Sequence, residues 1–135
     1  MLFKPGLIKQ IMVGHKTQTR RVLKPGEYHN WDAPYCREFD LDSGILEIYH
    51  ANKRLKWIVG RDYAVCPGRG QHQVARIVFD NIRQQSLVAI TEADAIAEGF
   101  EDRDAFIVAW NTINPKTPFE SNPAVWVIDF TLKSP

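Results

Sequence analysis

Gly14-His15-Lys16-Thr17-Gln18-Thr19-Arg20-Arg21 places four basic or potentially basic side chains and two hydroxyls in eight residues, directly after an apolar helical segment. Leu7, Ile8, Ile11 and Met12 recur at the spacing of one helical face, with Lys9 and Gln10 on the other, and Pro5-Gly6 opens the helix. Gly14 can take a positive φ and close that helix in a left-handed cap. The chain then leaves in extended form with polar groups on both sides. Two readings of the basic strand stand side by side. One is a pocket for an anionic or hydrogen-bond-rich ligand; the other is a solvated edge strand, where lysine and arginine block unwanted pairing.

Composition narrows the class. The chain has 135 residues, 44% hydrophobic and 24% charged, with a formal net charge of +1. That describes one ordinary globular domain able to bury a core without staples. So small a net charge excludes a blanket over a polyanion, so any nucleic-acid contact is a local patch. No apolar run approaches bilayer length. Met1-Leu2-Phe3-Lys4-Pro5-Gly6 lacks the apolar region of a signal peptide. Cys36 and Cys66 stand thirty residues apart without a CxxC pair or a histidine ladder, which argues against zinc and for free thiols in a reducing cytoplasm. No metal and no cofactor are expected.

Downstream of the basic strand, which ends at Pro25-Gly26, residues 27 to 44 read as a long loop centred on Tyr28, His29, Asn30, Trp31, Asp32, Ala33, Pro34 and Tyr35. Its aromatics are either a lid over the core or stacking surfaces for a base. Ile45 to Tyr49 and Leu55 to Val59 flank His50-Ala51-Asn52-Lys53-Arg54 as a hairpin with Asn as the turn residue. Gly60-Arg61-Asp62 turns the chain into a short strand at Tyr63, and Pro67-Gly68-Arg69-Gly70 is a tight turn exposing Arg69. Val74 to Phe79 alternates as a strand, and after Asp80-Asn81 a further short strand is expected over 82 to 89. Thr91-Glu92-Ala93-Asp94 is a capping box with Asp in place of Glu, and Gly99 stops the helix it starts. Glu98 then sits at the negative end of the helix dipole, which calls for either a partner or exposure to water. A helix capped by Asp102 carries Ala105, Phe106, Ala109, Trp110 and Ile113 on one face, as core. The closing strand puts Trp126, Ile128, Phe130 and Leu132 on one face. Six or seven short strands, three short helices and no βαβ repeat predict an α+β domain: a small, mostly antiparallel β-barrel with the helices packed outside.

Gly14-x-Lys16-Thr17-x-Thr19-x-Arg21 resembles the signature of ASCH domains, which are small PUA-like β-barrels. Gly60-x-Asp62, Thr91-Glu92, Glu98-Gly99-Phe100 and Val125-Trp126-Val127-Ile128-Asp129-Phe130 follow in the matching order. The resemblance spans residues 1–135 as a single domain, except that roughly 23–56 looks like an insertion relative to the shortest members. With Tyr63-Ala64-Val65-x-Pro67-Gly68-Arg69-Gly70, the chain resembles longer members often found in bacteria and their phages. The resemblance implies recognition of RNA or a modified nucleoside. A short bacterial branch is an amidohydrolase acting on N4-acetylcytidine through a lysine, a threonine and a glutamate that match Lys16, Thr19 and Glu98. A related branch is a ribonuclease, and other members bind RNA without catalysis. Thr17, Arg20, Arg21, Tyr63, Arg69 and Trp31 are the expected ligand-binding residues around that trio. In a regular strand Lys16 and Thr19 point to opposite faces, so their convergence requires a bend in the chain.

Overall fold

The computed structural model describes residues 1–30 and 45–134. Seven strands and three helices follow in the order α1 (Pro5–Met12), β1 (Gln18–Val22), β2 (Tyr28–His29), β3 (Glu47–Tyr49), β4 (Leu55–Ile58), β5 (Asp62–Val65), β6 (Ala75–Ser86), α2 (Glu92–Ala97), α3 (Arg103–Ile113) and β7 (Ala124–Leu132). The strands form two antiparallel sheets, one ordered β1-β7-β6-β5 and one ordered β2-β3-β4. Among the described residues a bridge from Ile45 to Ile82 joins them. No ladder among those residues closes the sheets into the expected barrel, and β1 and β5 remain edges of the larger one.

The helix signals in the chain act as anticipated. Gly14 adopts φ +83°, and the amides of His15 and Lys16 both donate to Gln10 O, so α1 ends in a left-handed cap. Thr91 Oγ1 accepts from Asp94 N while Asp94 Oδ2 accepts from Thr91 N, completing the capping box of α2. Asp102 caps α3 through Ala105 N.

The strands depart from the sequence reading in three places. Asp80-Asn81 does not end a strand; β6 runs unbroken through it, with the register shifting between Phe79 and Asn81 as a bulge. Asp80 is spared the ladder there and accepts from the Thr131 hydroxyl at 2.5 Å. In the β3–β4 turn Lys53, not Asn52, takes the positive φ; Asn52 Oδ1 instead accepts from Arg54 N. Tyr28 and His29 form β2 rather than loop, and Tyr28 stacks on Tyr49 with ring centres 5.1 Å apart. Trp31 and Tyr35, at the centre of that stretch, lie outside the described residues.

Strand β7 is buried on both faces, which places it between two cores. Trp126, Ile128 and Phe130 pack with Phe3, Ile11, Trp57 and Phe79 in one cluster. Val125 and Val127 belong to the other, on the helical side, with Leu87, Ile90, Phe106 and Trp110. Phe106 and Trp110 are therefore core residues, as their spacing on α3 implies. Ile113, expected on the same face, is 43% exposed because α3 ends there.

Candidate functional site

Lys16 leaves the helix cap just before regular pairing begins at Gln18. The residue is 2% exposed, and its ammonium makes three hydrogen bonds: to Gln18 O at 2.7 Å, Glu98 O at 2.8 Å and Glu98 Oε2 at 2.9 Å. Glu98, the C-cap of α2, is buried as well. Its awkward position at the negative end of a helix is thus explained by a partner rather than by water. The lysine neutralises the carboxylate and satisfies a terminal carbonyl of the same helix. Gly99 follows at φ +102°, and a Cβ there would come 3.3 Å from Lys16 Cβ, so glycine is needed both for the turn and for the lysine's approach.

Arg20 completes the arrangement from the second side. Its Nη1 lies 3.3 Å from Glu98 Oε1, so the two carboxylate oxygens are held by two different cations. Arg20 also bonds to Gln18 Oε1, reaches Gln85 Oε1 at 3.4 Å and pairs with Asp94 at 3.3 Å. Its Nε is buried without a hydrogen-bond partner. Gln18, which the sequence reading passed over, is buried and ties this group to Asp129 at 2.8 Å. Burial pushes the Lys16 ammonium pKa below its ordinary value, against the opposing pull of Glu98.

These side chains open onto a cavity of about 1030 Å³, at the upper end of the roughly 300–1,000 Å³ typical of ligand sites. Lys16, Thr19, Arg20, Arg21, Tyr63 and Glu98 all line it. The strand geometry that sets Lys16 and Thr19 on opposite faces does not keep them apart. In the β1–β7 register Thr19 and Arg21 stand beside Ile128 and Trp126, while Arg20 stands beside Val127. Lys16 precedes β1, which begins at Gln18, so the alternation of a regular strand does not govern its direction relative to Thr19, and both residues line the cavity. Within the described residues the Thr19 hydroxyl has no hydrogen-bond partner, although the residue is 4% exposed.

The remaining expected site residues divide. Arg21 stacks over Phe3 at 4.7 Å and donates to Leu2 O at 2.9 Å, leaving further donors toward the cavity. Tyr63 contributes a ring wall, packed 4.3 Å from Phe79, and its hydroxyl accepts from Ile58 N. Thr17 is exposed and tied through its backbone to Ala97 O and Phe130 N. Arg69 is exposed on its turn, where only its neighbours Pro67 and Gly68 reach the cavity. Trp31 lies outside the described residues. Sequence reasoning missed Phe3 and Lys4, which no motif marks, and Glu27. The Glu27 carboxylate accepts from Lys56 at 2.5 Å and Trp126 Nε1 at 3.1 Å. Burial would raise its pKa, but those hydrogen bonds and that of Lys24 N hold it below the usual range.

Among the described residues no three His, Cys, Asp or Glu side chains gather as a metal site, and no helix is long and apolar enough to cross a membrane.

No family model matches the chain, and no curated protein matches it. Solved structures do. An ASCH domain from Lactobacillus crispatus JV V101 matches with a TM-score of 0.58 at 13% identity, over 92% of this chain and 68% of that one. Protein EF3133 from Enterococcus faecalis V583, of the family DUF984, matches with a TM-score of 0.56 at 12% identity, over 93% of this chain and 69% of that one. The likeness is one of fold: the chain has the fold of an ASCH domain.

Proposed function

We propose that this chain recognises a nucleoside, free or carried in RNA, in the cavity beside β1, and that Thr19, Lys16 and Glu98 hydrolyse an acyl amide on its base. The observation that carries the reading is the meeting of a buried Lys16–Glu98 pair with an unpartnered Thr19 hydroxyl on one cavity. Threonine is a weak nucleophile until a base removes its proton. Lys16 serves as that base once it has lost one proton to solvent, and its burial favours the neutral amine.

The chemistry then balances in two steps. Thr19 Oγ bonds to the acyl carbon as its proton passes to Lys16; the carbon–nitrogen bond breaks and the base amine leaves with that proton. A water molecule, deprotonated by the same lysine, then bonds to the acyl carbon; the bond to Thr19 Oγ breaks, the lysine's proton returns to that oxygen, and the carboxylic acid is freed. Glu98 holds Lys16 in place and balances its charge, while Arg21 contributes a guanidinium fork to substrate binding. Residues 23–56, taken as an insertion, bring Lys24, His50 and Lys56 to the cavity wall and so bear on substrate size.

A panel of N4-acylated cytidines tests this against the wild type, Lys16→Ala and Thr19→Ala. Turnover lost in both variants, with circular dichroism and melting behaviour retained, supports hydrolysis. Absence of turnover by the wild type on every member rules the catalytic half out.

One observation favours a second reading, RNA binding without catalysis: all three Lys16 ammonium hydrogens are already engaged. That reading expects salt-sensitive RNA affinity, intact RNA and no released acid. Cleaved RNA in the same assay would point to a ribonuclease instead.

A further inference from the structure

We propose that the side of this cavity where α1 begins and β1 ends is a phosphate site, formed by Lys4, Arg21 and Lys24, so that the ligand is a nucleotide or a strand rather than a bare nucleoside. The proposal rests on the nucleoside reading above for what the phosphate is attached to.

Among the described residues, six lysine and arginine side chains line the cavity, against one carboxylate, Glu98. Three of the six are neutralised within the protein: Lys16 by Glu98, Arg20 by Glu98 and Asp94, and Lys56 by Glu27. Lys4, Arg21 and Lys24 have no ion-pair partner among the described residues. Such a concentration is not a consequence of overall charge, which is only +1. Three uncompensated cations on one cavity repel each other, and an anion between them removes that repulsion.

The backbone at the same place points the same way. Lys4 is the N-cap of α1, where the positive end of the helix dipole disfavours a cation. No side chain caps that helix, and its first turn holds no acidic residue. Pro5 has no amide hydrogen, and the Gly6 amide has no partner among the described residues. The Cβ position of Gly6 meets nothing within 4 Å, so the approach to that amide is open. A phosphate suits this set: it is compact, carries up to two charges, and offers oxygens to an ammonium, a guanidinium fork and an amide at once. A carboxylate has half the charge of a terminal phosphate and lacks the tetrahedral spread of oxygens that a phosphodiester also keeps.

Titration calorimetry at low and at moderate salt, with cytidine, cytidine 5′-monophosphate, inorganic phosphate and a short oligocytidylate without terminal phosphates, tests the site on the wild type and on a Lys4→Gln/Lys24→Gln variant. Both replaced side chains are exposed and without an ion pair among the described residues, so the melting temperature serves as the control for folding. The expected result is that the monophosphate or the oligonucleotide binds about tenfold more tightly than cytidine, with the advantage lost in the variant and reduced by salt. Tighter binding of the monophosphate indicates a free nucleotide, and tighter binding of the oligonucleotide indicates a strand. Equal affinity for cytidine and both phosphorylated probes overturns the phosphate site while leaving the nucleoside reading intact. A variant that keeps the wild-type preference also overturns it. Equal binding of inorganic phosphate and the monophosphate without binding of cytidine upholds the phosphate site and overturns the nucleoside reading. No binding by any probe overturns both.

Discussion

Lys16 Nζ lies 2.9 Å from Glu98 Oε2 and 2.8 Å from the main-chain oxygen of the same residue, across 82 positions of sequence. Both side chains are nearly enclosed, at 2% and 4% exposure. The bond locks the start of β1 to the end of α2, and it places a buried ion pair on the wall of a cavity. Enclosed pairs of this kind are costly to break and seldom the most stable choice available. Their presence fits a site better than a scaffold.

Breaking the pair from one side leaves a buried charge without its partner. Glu98→Ala and Lys16→Met are each expected to destabilise the fold by about 3–5 kcal/mol, whereas the double Lys16→Met/Glu98→Leu variant recovers much of the loss. Urea unfolding of the four proteins measures the coupling. Additive losses would mean that the two side chains do not depend on each other.

Thr19→Val keeps the volume and branching of the side chain and removes only its hydroxyl. Because that hydroxyl has no partner among the described residues, the cost in stability is expected to stay below about 1 kcal/mol. Amide hydrolysis, if the proposed function holds, disappears altogether. A variant that unfolds readily, or one that keeps turning over acylcytidine, contradicts the role given to Thr19.

The pH dependence follows from the lowered pKa of Lys16. Between that lowered value and about 10.4, the ordinary lysine value, the unfolded chain binds a proton that the native protein does not. Stability from this group therefore rises with pH across that window, and below it the native state carries the full cost of a buried ammonium. Hydrolysis should rise over the same range, with a midpoint below that of free lysine. A rate that is flat with pH, or unfolding that ignores the Lys16→Met change across it, counts against Lys16 as the base.

Asp62 provides an acid-side test away from the cavity. Hydrogen bonds from Arg76 at 2.7 Å and Lys133 at 2.9 Å hold its carboxyl down to about 2. Its folded pKa lies below the unfolded one, so its contribution is complete above about 3.9 and is lost as the pH falls toward the folded value. Asp62→Asn should lower the melting temperature near neutrality and narrow the gap to wild type as acid is added. A constant gap down to the folded value would show that the group adds nothing through its charge.

Gly99→Ala tests the turn that sets the Lys16–Glu98 distance. The backbone is at φ +102°, and the new methyl would press on Lys16 and Gln10 at 3.3 Å and 3.4 Å. A loss of roughly 1–3 kcal/mol is expected, together with weakened ligand binding. Thermal unfolding and binding of the same sample read both. Unchanged binding in a destabilised protein would separate the turn from the site.

Local signals in the chain were reliable where local geometry decides the outcome. Gly14, the Thr91–Asp94 box, Asp102 and Gly99 act through hydrogen bonds only a few residues long, so residue type and spacing suffice. The opposite case is Asp80-Asn81. Two turn-forming residues suggest a break, yet pairing with β7 on both sides carries β6 through them as a bulge. Neighbouring strands outweigh propensity there, and a sequence does not display its neighbours.

By itself the chain determined where its helices begin and end, the apolar face of β7, and the motifs whose resemblance to ASCH domains implies Lys16, Thr19 and Glu98 as a site. Only the tertiary structure decided that one cavity is lined by all three. A strand viewed alone sends Lys16 and Thr19 to opposite faces; in the fold Lys16 still belongs to the cap of α1, ahead of β1, and one cavity receives both. The partner of Glu98, the lack of an ion-pair partner for Lys4, Arg21 and Lys24 among the described residues, and the part played by Phe3 all depend on contacts between distant segments. Those contacts arise from packing two cores against β7, and no short stretch of sequence encodes them.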